Sequence, residues 1–175
     1  MLNQRGQAFS VFELMIAAIV AIAILFVLLP IVNQPPNFGG NAKDEIGNSL
    51  ASVDGGGNTT TREFSMERND IVTGMDFSEK GFDQHSIVFA IESSLIDQGK
   101  FDPVEGDGYA GVKYVGSTNF NAKARVYCQQ TGTDLQSIID TAGIDDGIDM
   151  IVDPEDLCGG DGEYQPCCLV IVQRG

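Results

Sequence analysis

Between Leu14 and Val32 the chain runs for 19 residues, LMIAAIVAIAILFVLLPIV, without a charged or strongly polar side chain. As a helix such a run rises about 28 Å, close to the hydrocarbon thickness of a bilayer. The sequence therefore predicts a membrane-spanning helix over residues 9–33, a reading that separates this segment from everything after it. A cleaved secretory signal would have a shorter apolar core followed by a small-residue cleavage site. Here the run ends in Pro30-Ile-Val-Asn-Gln-Pro-Pro, which has no such pattern. Arg5 precedes the run and no Lys or Arg follows it until Lys43. By the excess of basic residues on the cytoplasmic side, the amino terminus is expected inside and the bulk of the chain outside. The expectation is a single-pass membrane protein whose carboxy-terminal domain is extracellular.

Glu13 stands at the mouth of this run. A carboxylate near lipid protonates, reaches back to the interface or pairs with a cation, because an unpaired charge in hydrocarbon is costly. Its neighbours give the position a context. Ala8, Phe9, Ser10, Val11, Phe12, Glu13, Leu14, Met15 and Ile16 follow one another as a small residue, Phe, Ser, two apolar residues, Glu and an apolar helix, with Pro30 further along. This segment resembles the amino terminus of type IV pilins and pilin-like proteins, in which a proline often kinks the helix near the position of Pro30.

The resemblance covers about 27 residues, Gly6 to Val32, and implies several things. Residues 1–8 would be a leader removed by a prepilin peptidase between Ala8 and Phe9, leaving an amine on Phe9 that is open to N-methylation. Arg5-Gly6-Gln7 supplies an alternative cut between Gly6 and Gln7, of the kind found in archaeal pilins. With cleavage after Ala8, Glu13 would pair with the Phe9 amine of a neighbouring subunit. The implied function is that of a structural subunit, assembled with itself and the pilus assembly machinery into a surface filament, with no enzymatic activity and no cofactor. The competing expectation is an unprocessed, membrane-anchored extracellular binding or receptor domain.

The remainder bears on the same question. Residues 34–60 are rich in Pro, Gly and Asn and read as a linker, with at most a short helix between Ala42 and Val53. A globular head is expected over residues 61–175. Strand character is present at Ser86–Ile91, Gly111–Val115, Ala122–Cys128 and Cys168–Val172, and the second and third of these are close enough for Gly116–Asn119 to turn one back on the other. Asp134–Thr141 reads as a short helix capped by Thr133 or Asp134. The expected fold class is thus α+β: one amino-terminal membrane or assembly helix, then a small, mainly antiparallel β head with a short helix and a disulfide-tied acidic loop.

Charge narrows the partners. Acidic residues outnumber basic ones 25 to 10, and from Gln129 onward ten acids face Arg174 alone. A phosphate backbone is repelled by such a surface, so nucleic acid is not an expected partner. Cys128, Cys158, Cys167 and Cys168 all lie in the part expected outside, where two disulfides are favoured with three pairings open. Bridging the adjacent Cys167 and Cys168 would be strained, which favours each joining Cys128 or Cys158. Their spacing is poor for a structural zinc site. The acids from Asp145 to Glu163 have the oxygens calcium needs but not the ordered spacing of a calcium loop. His85 beside Ser86 has no motif that would make it catalytic.

Overall fold

The computed structural model describes residues 15–22, 40–144, 146–159 and 164–175. The chain divides into two units, Met1–Asn37 and Phe38–Gly175. In the first, residues 15–22 belong to a helix, α1, and Met15, Ile16, Ile19, Val20 and Ile22 are exposed on it.

This overturns the expected fold class. Among the described residues, no helix is long and apolar enough to cross a membrane. The described stretch of α1 rises about 12 Å, less than half a bilayer core. The physical reason is one of length: an apolar run spans lipid only as far as its backbone is helical. Residues 23–33 lie outside the described residues, so the expected span is not a feature of the described fold.

The second unit is α+β and begins earlier than its composition implies. Residues within the stretch read as linker form β1 (Gly40–Asn41), α2 (Ala42–Ser52) and β2 (Gly57–Thr60). Asn41 caps α2 by accepting the Lys43 N–H at 3.1 Å, and Asp44 and Glu45 in its first turn complement the helix dipole. Ala42, Ile46 and Leu50 fall four apart, on one face, and are buried. That stripe docks against β3 (Phe64–Met66) and β8 (Phe120–Gln129). Lys43 also reaches Asp76 at 2.6 Å, joining α2 to a 3-10 helix over Gly74–Lys80.

The larger sheet has the order β1-β3-β8-β10-β5-β9, and β2 lies on β8 beyond the end of β3. Here β5 is Ile87–Glu92, β9 is Ile148–Met150 and β10 is Cys167–Arg174. β10 runs antiparallel to β8 but parallel to β5, with Val170 opposite both Val126 and Phe89. The sheet is therefore mixed, which corrects the mainly antiparallel expectation. A strand held between two neighbours and covered on both faces shows a continuous apolar run, and Cys167 to Val172 are all buried. Along β8 the inward residues Ala122, Ala124, Val126 and Cys128 alternate with the more accessible Lys123, Arg125, Tyr127 and Gln129.

A smaller sheet has the order β4-β7-β6, from Ile71–Thr73, Tyr109–Tyr114 and Phe101–Gly106. Consequently β7 and β8 do not form the expected hairpin, since β7 pairs with β4 and β6. What joins the two sheets there is packing. Phe101, Tyr114 and Phe120 stand with ring centroids 5.2 to 5.7 Å apart, and the Tyr114 hydroxyl donates to the carbonyl of Thr118 inside the connecting loop. A short helix, α3 (Ser93–Asp97), follows β5 and buries Leu95.

On the accessible side of β8 and β10 lie α4 (Gly132–Ala142) and α5 (Pro154–Cys158). α4 begins two residues before its expected start, and its cap is Thr131, which accepts the Asp134 N–H at 3.0 Å. Leu135 and Ile139 form its buried face. α5 has Asp153 as cap and Pro154 in its first turn, where a missing N–H goes unfelt. The two helices meet at Gly132: a Cβ there would lie 2.6 Å from the Pro154 carbonyl oxygen.

Candidate functional site

The amino-terminal residues singled out from sequence, Gly6, Gln7, Ala8, Phe9, Glu13 and Pro30, lie outside the described residues. The cysteines lie within them. Cys128 is joined to Cys168, and Cys158 to Cys167. The alternation of a strand accounts for this division, because consecutive side chains point to opposite faces. Cys168 sits directly opposite Cys128 in the β8/β10 ladder, so its bond closes the buried face of the sheet. Cys167 points the other way and meets Cys158 at the end of α5, fastening that helix to the sheet.

The acid-rich stretch is used locally. Asp153 accepts the Glu155 N–H at 2.9 Å as the cap of α5, and Glu155 and Asp156 occupy that helix's first turn, where negative charge is favourable. Among the described residues, no group of three or more His, Cys, Asp or Glu is placed to hold a metal ion. Asp145, Asp161 and Glu163 are outside the described set.

His85 belongs to a different arrangement. Asp83 Oδ1 accepts the His85 backbone N–H at 2.9 Å and lies 2.7 Å from His85 Nδ1. These bonds, the backbone one first, hold the Asp83 carboxyl below its ordinary range. The imidazole stacks on Tyr164 with centroids 4.4 Å apart, which ties the Asp83–Ser86 turn to the end of the disulfide-closed loop. Ser86 is fully buried and its hydroxyl donates to the Asp83 carbonyl at 2.7 Å. The neighbouring His85 and Ser86 are thus each occupied with Asp83.

A groove of about 430 Å³ with a largely polar lining lies on the accessible side of the large sheet. β8 contributes Arg125 and Tyr127, β10 contributes Ile171 and Gln173, and Glu92 comes from the end of β5. The far wall is the end of α4 and the turn after it, from Ala142 through Asp146 to Ile148. Arg125 is exposed and has no ion-pair partner among the described residues. Glu92 is engaged: it accepts from the Ser94 hydroxyl and from the Arg174 N–H, and these bonds lower its carboxyl's pKa, the Ser94 bond most.

A guanidinium, a phenol, an amide and an engaged carboxylate around an open space provide hydrogen bonds and an aromatic surface, which is binding chemistry. The alternation of Lys123, Arg125 and Tyr127 was visible in the sequence as the accessible face of a strand. Its conversion into a groove was not, because α4 and β10 come from elsewhere in the chain. Comparisons with protein-family models, curated proteins and solved structures return no match.

Proposed function

We propose that this chain is a structural subunit of a pilus-like surface filament, a pilin or pseudopilin. It is trimmed by a prepilin peptidase between Ala8 and Phe9 and associates with its neighbours through its apolar amino-terminal segment. The observation that carries the reading is the run from Ala8 to Ile16, continued by the helical stretch 15–22, where Ile19 is 63% and Met15 59% exposed. Apolar side chains left bare on a single chain are stabilised when acyl chains or like segments cover them. Glu13 then supplies register, since the neighbour that relieves its charge is one bringing the Phe9 amine to the same depth. Two disulfides in the second unit support a head that folds outside the reducing cytosol.

A second reading is an anchored extracellular binding domain that keeps its leader. The groove around Arg125 and Tyr127 favours it. Mass spectrometry of the chain extracted from its own cells separates the two: a mature terminus at Phe9 supports the filament subunit, and an intact Met1 supports the anchored domain. Glu13→Ala and Glu13→Gln are expected to abolish filaments seen by electron microscopy, while leaving the chain present in membranes. Filaments of normal number in both variants would remove Glu13 from the assembly step.

A further inference from the structure

Of the nine asparagines in the chain, only Asn58 is followed at the second position by a hydroxyl residue with no proline between, in Asn58-Thr59-Thr60. That triplet is the acceptor pattern for N-linked glycan transfer, and one copy in a chain of this length is unremarkable by itself. Its placement gives it weight. The triplet lies in β2, which is paired on one side only, with β8, and directly follows Gly55-Gly56-Gly57. Asn58 and Thr60 are exposed, and among the described residues neither side chain has a hydrogen-bond partner.

The register supplies a second, independent observation. Asn58 stands directly opposite Tyr127, and Thr60 opposite Arg125. Side chains opposite each other in an antiparallel pair share a face, with Cβ atoms about 5 Å apart. Asn58 therefore opens onto the side of the sheet where Tyr127 and Arg125 line the groove. An aromatic face suits the C–H face of a pyranose, and a guanidinium suits its hydroxyls or a uronic carboxylate.

We propose that Asn58 is an N-glycosylation site and that the first sugar of its glycan lies over Tyr127, with Arg125 beside it. The donor is a lipid-linked oligosaccharide phosphate, and the catalyst is an oligosaccharyltransferase on the exported side. The Asn58 Nδ2–C1 bond forms as the C1–oxygen bond to phosphate breaks. The lipid phosphate leaves with the bonding pair, and the amide loses one proton to a base of the transferase. The Thr60 hydroxyl positions the acceptor. This proposal requires export of the head and is independent of filament assembly.

The test uses full-length protein recovered from the surface of its own cells, so that export is already satisfied. Peptide mass spectrometry is expected to show whole sugar residues added to Asn58. Asn58→Gln and Thr60→Ala lose the whole increment, whereas Thr60→Ser and Thr59→Ala keep it. An Asn58 peptide found only at its unmodified mass overturns the site. The seat on Tyr127 is tested by a double-mutant cycle read as Tm. Asn58→Gln lowers Tm when Tyr127 is present and has a smaller effect in the Tyr127→Ala background. Additive effects, with the glycan still attached in Tyr127→Ala, overturn the seat.

Discussion

Asp83 and Glu92 show how single side chains in this acidic molecule are put to use. Each is a carboxylate whose charged form accepts hydrogen bonds in the fold, Asp83 from His85 and Glu92 from Ser94 and the Arg174 backbone. Both pKa values are lowered, so the unfolded chain binds protons more readily than the folded one. Their contribution is fully present above the ordinary carboxylate range and is lost as pH falls through the lowered folded values. Asp83→Asn and Glu92→Gln are accordingly expected to lose stability at neutral pH, and to show a shallower fall of Tm than the parent chain on acidification below about pH 5. Thermal melts across that interval check this, and a parallel fall in parent and variant would show that these carboxylates do not contribute. Asp83 and His85, two positions apart, were legible as neighbours in the sequence. Their link to Tyr164 was not, since 79 residues of chain must fold back to bring that ring into the stack.

Among the elements, the helices are held by caps and by narrow apolar stripes. Thr131 both accepts the Asp134 N–H and donates to the Asp134 carboxylate at 2.9 Å. Thr131→Ala is expected to lower unfolding free energy by about 1 kcal/mol and Thr131→Ser by much less, as measured by denaturant titration. Leu50 lies fully buried on α2, and Leu50→Ala is expected to remove about 2–5 kcal/mol by the same measurement. A loss below about 1 kcal/mol would show that α2 is peripheral to the core. The composition of residues 34–60 concealed this helix, because its polar and glycine-rich neighbours outweigh three apolar residues in any local average. Ala42, Ile46 and Leu50 become informative once their four-residue spacing is seen against the sheet they cover.

Across the molecule, two disulfides connect layers whose order the chain does not follow. Cys128–Cys168 spans 40 residues and Cys158–Cys167 spans nine. Loop-closure entropy alone gives stabilisations of about 4 and about 3 kcal/mol respectively. Removing the first pair as Cys128→Ser with Cys168→Ser is therefore expected to lower the denaturation midpoint more than removing the second. The opposite order would place the main constraint on α5 and the acidic loop. Thiol alkylation of the native protein checks the pairing: no thiol reacts before reduction, and four react after it.

Side-chain type and short-range periodicity, which the chain carries without folding, were enough to define the local facts. These are an amino-terminal apolar run with Glu13 at its mouth, the inward and outward residues of β8, an acid-rich carboxy-terminal half, and two oxidised cysteine pairs as the favoured state. Folding was needed to place β10 between β8 and β5, to turn Cys167 and Cys168 to opposite faces of one sheet, and to stand Asn58 beside Tyr127. Those relations depend on strand order and register between residues as far apart as 82 positions, as in the Glu92–Arg174 bond. No local pattern encodes them, because each is chosen by which apolar faces can be buried together.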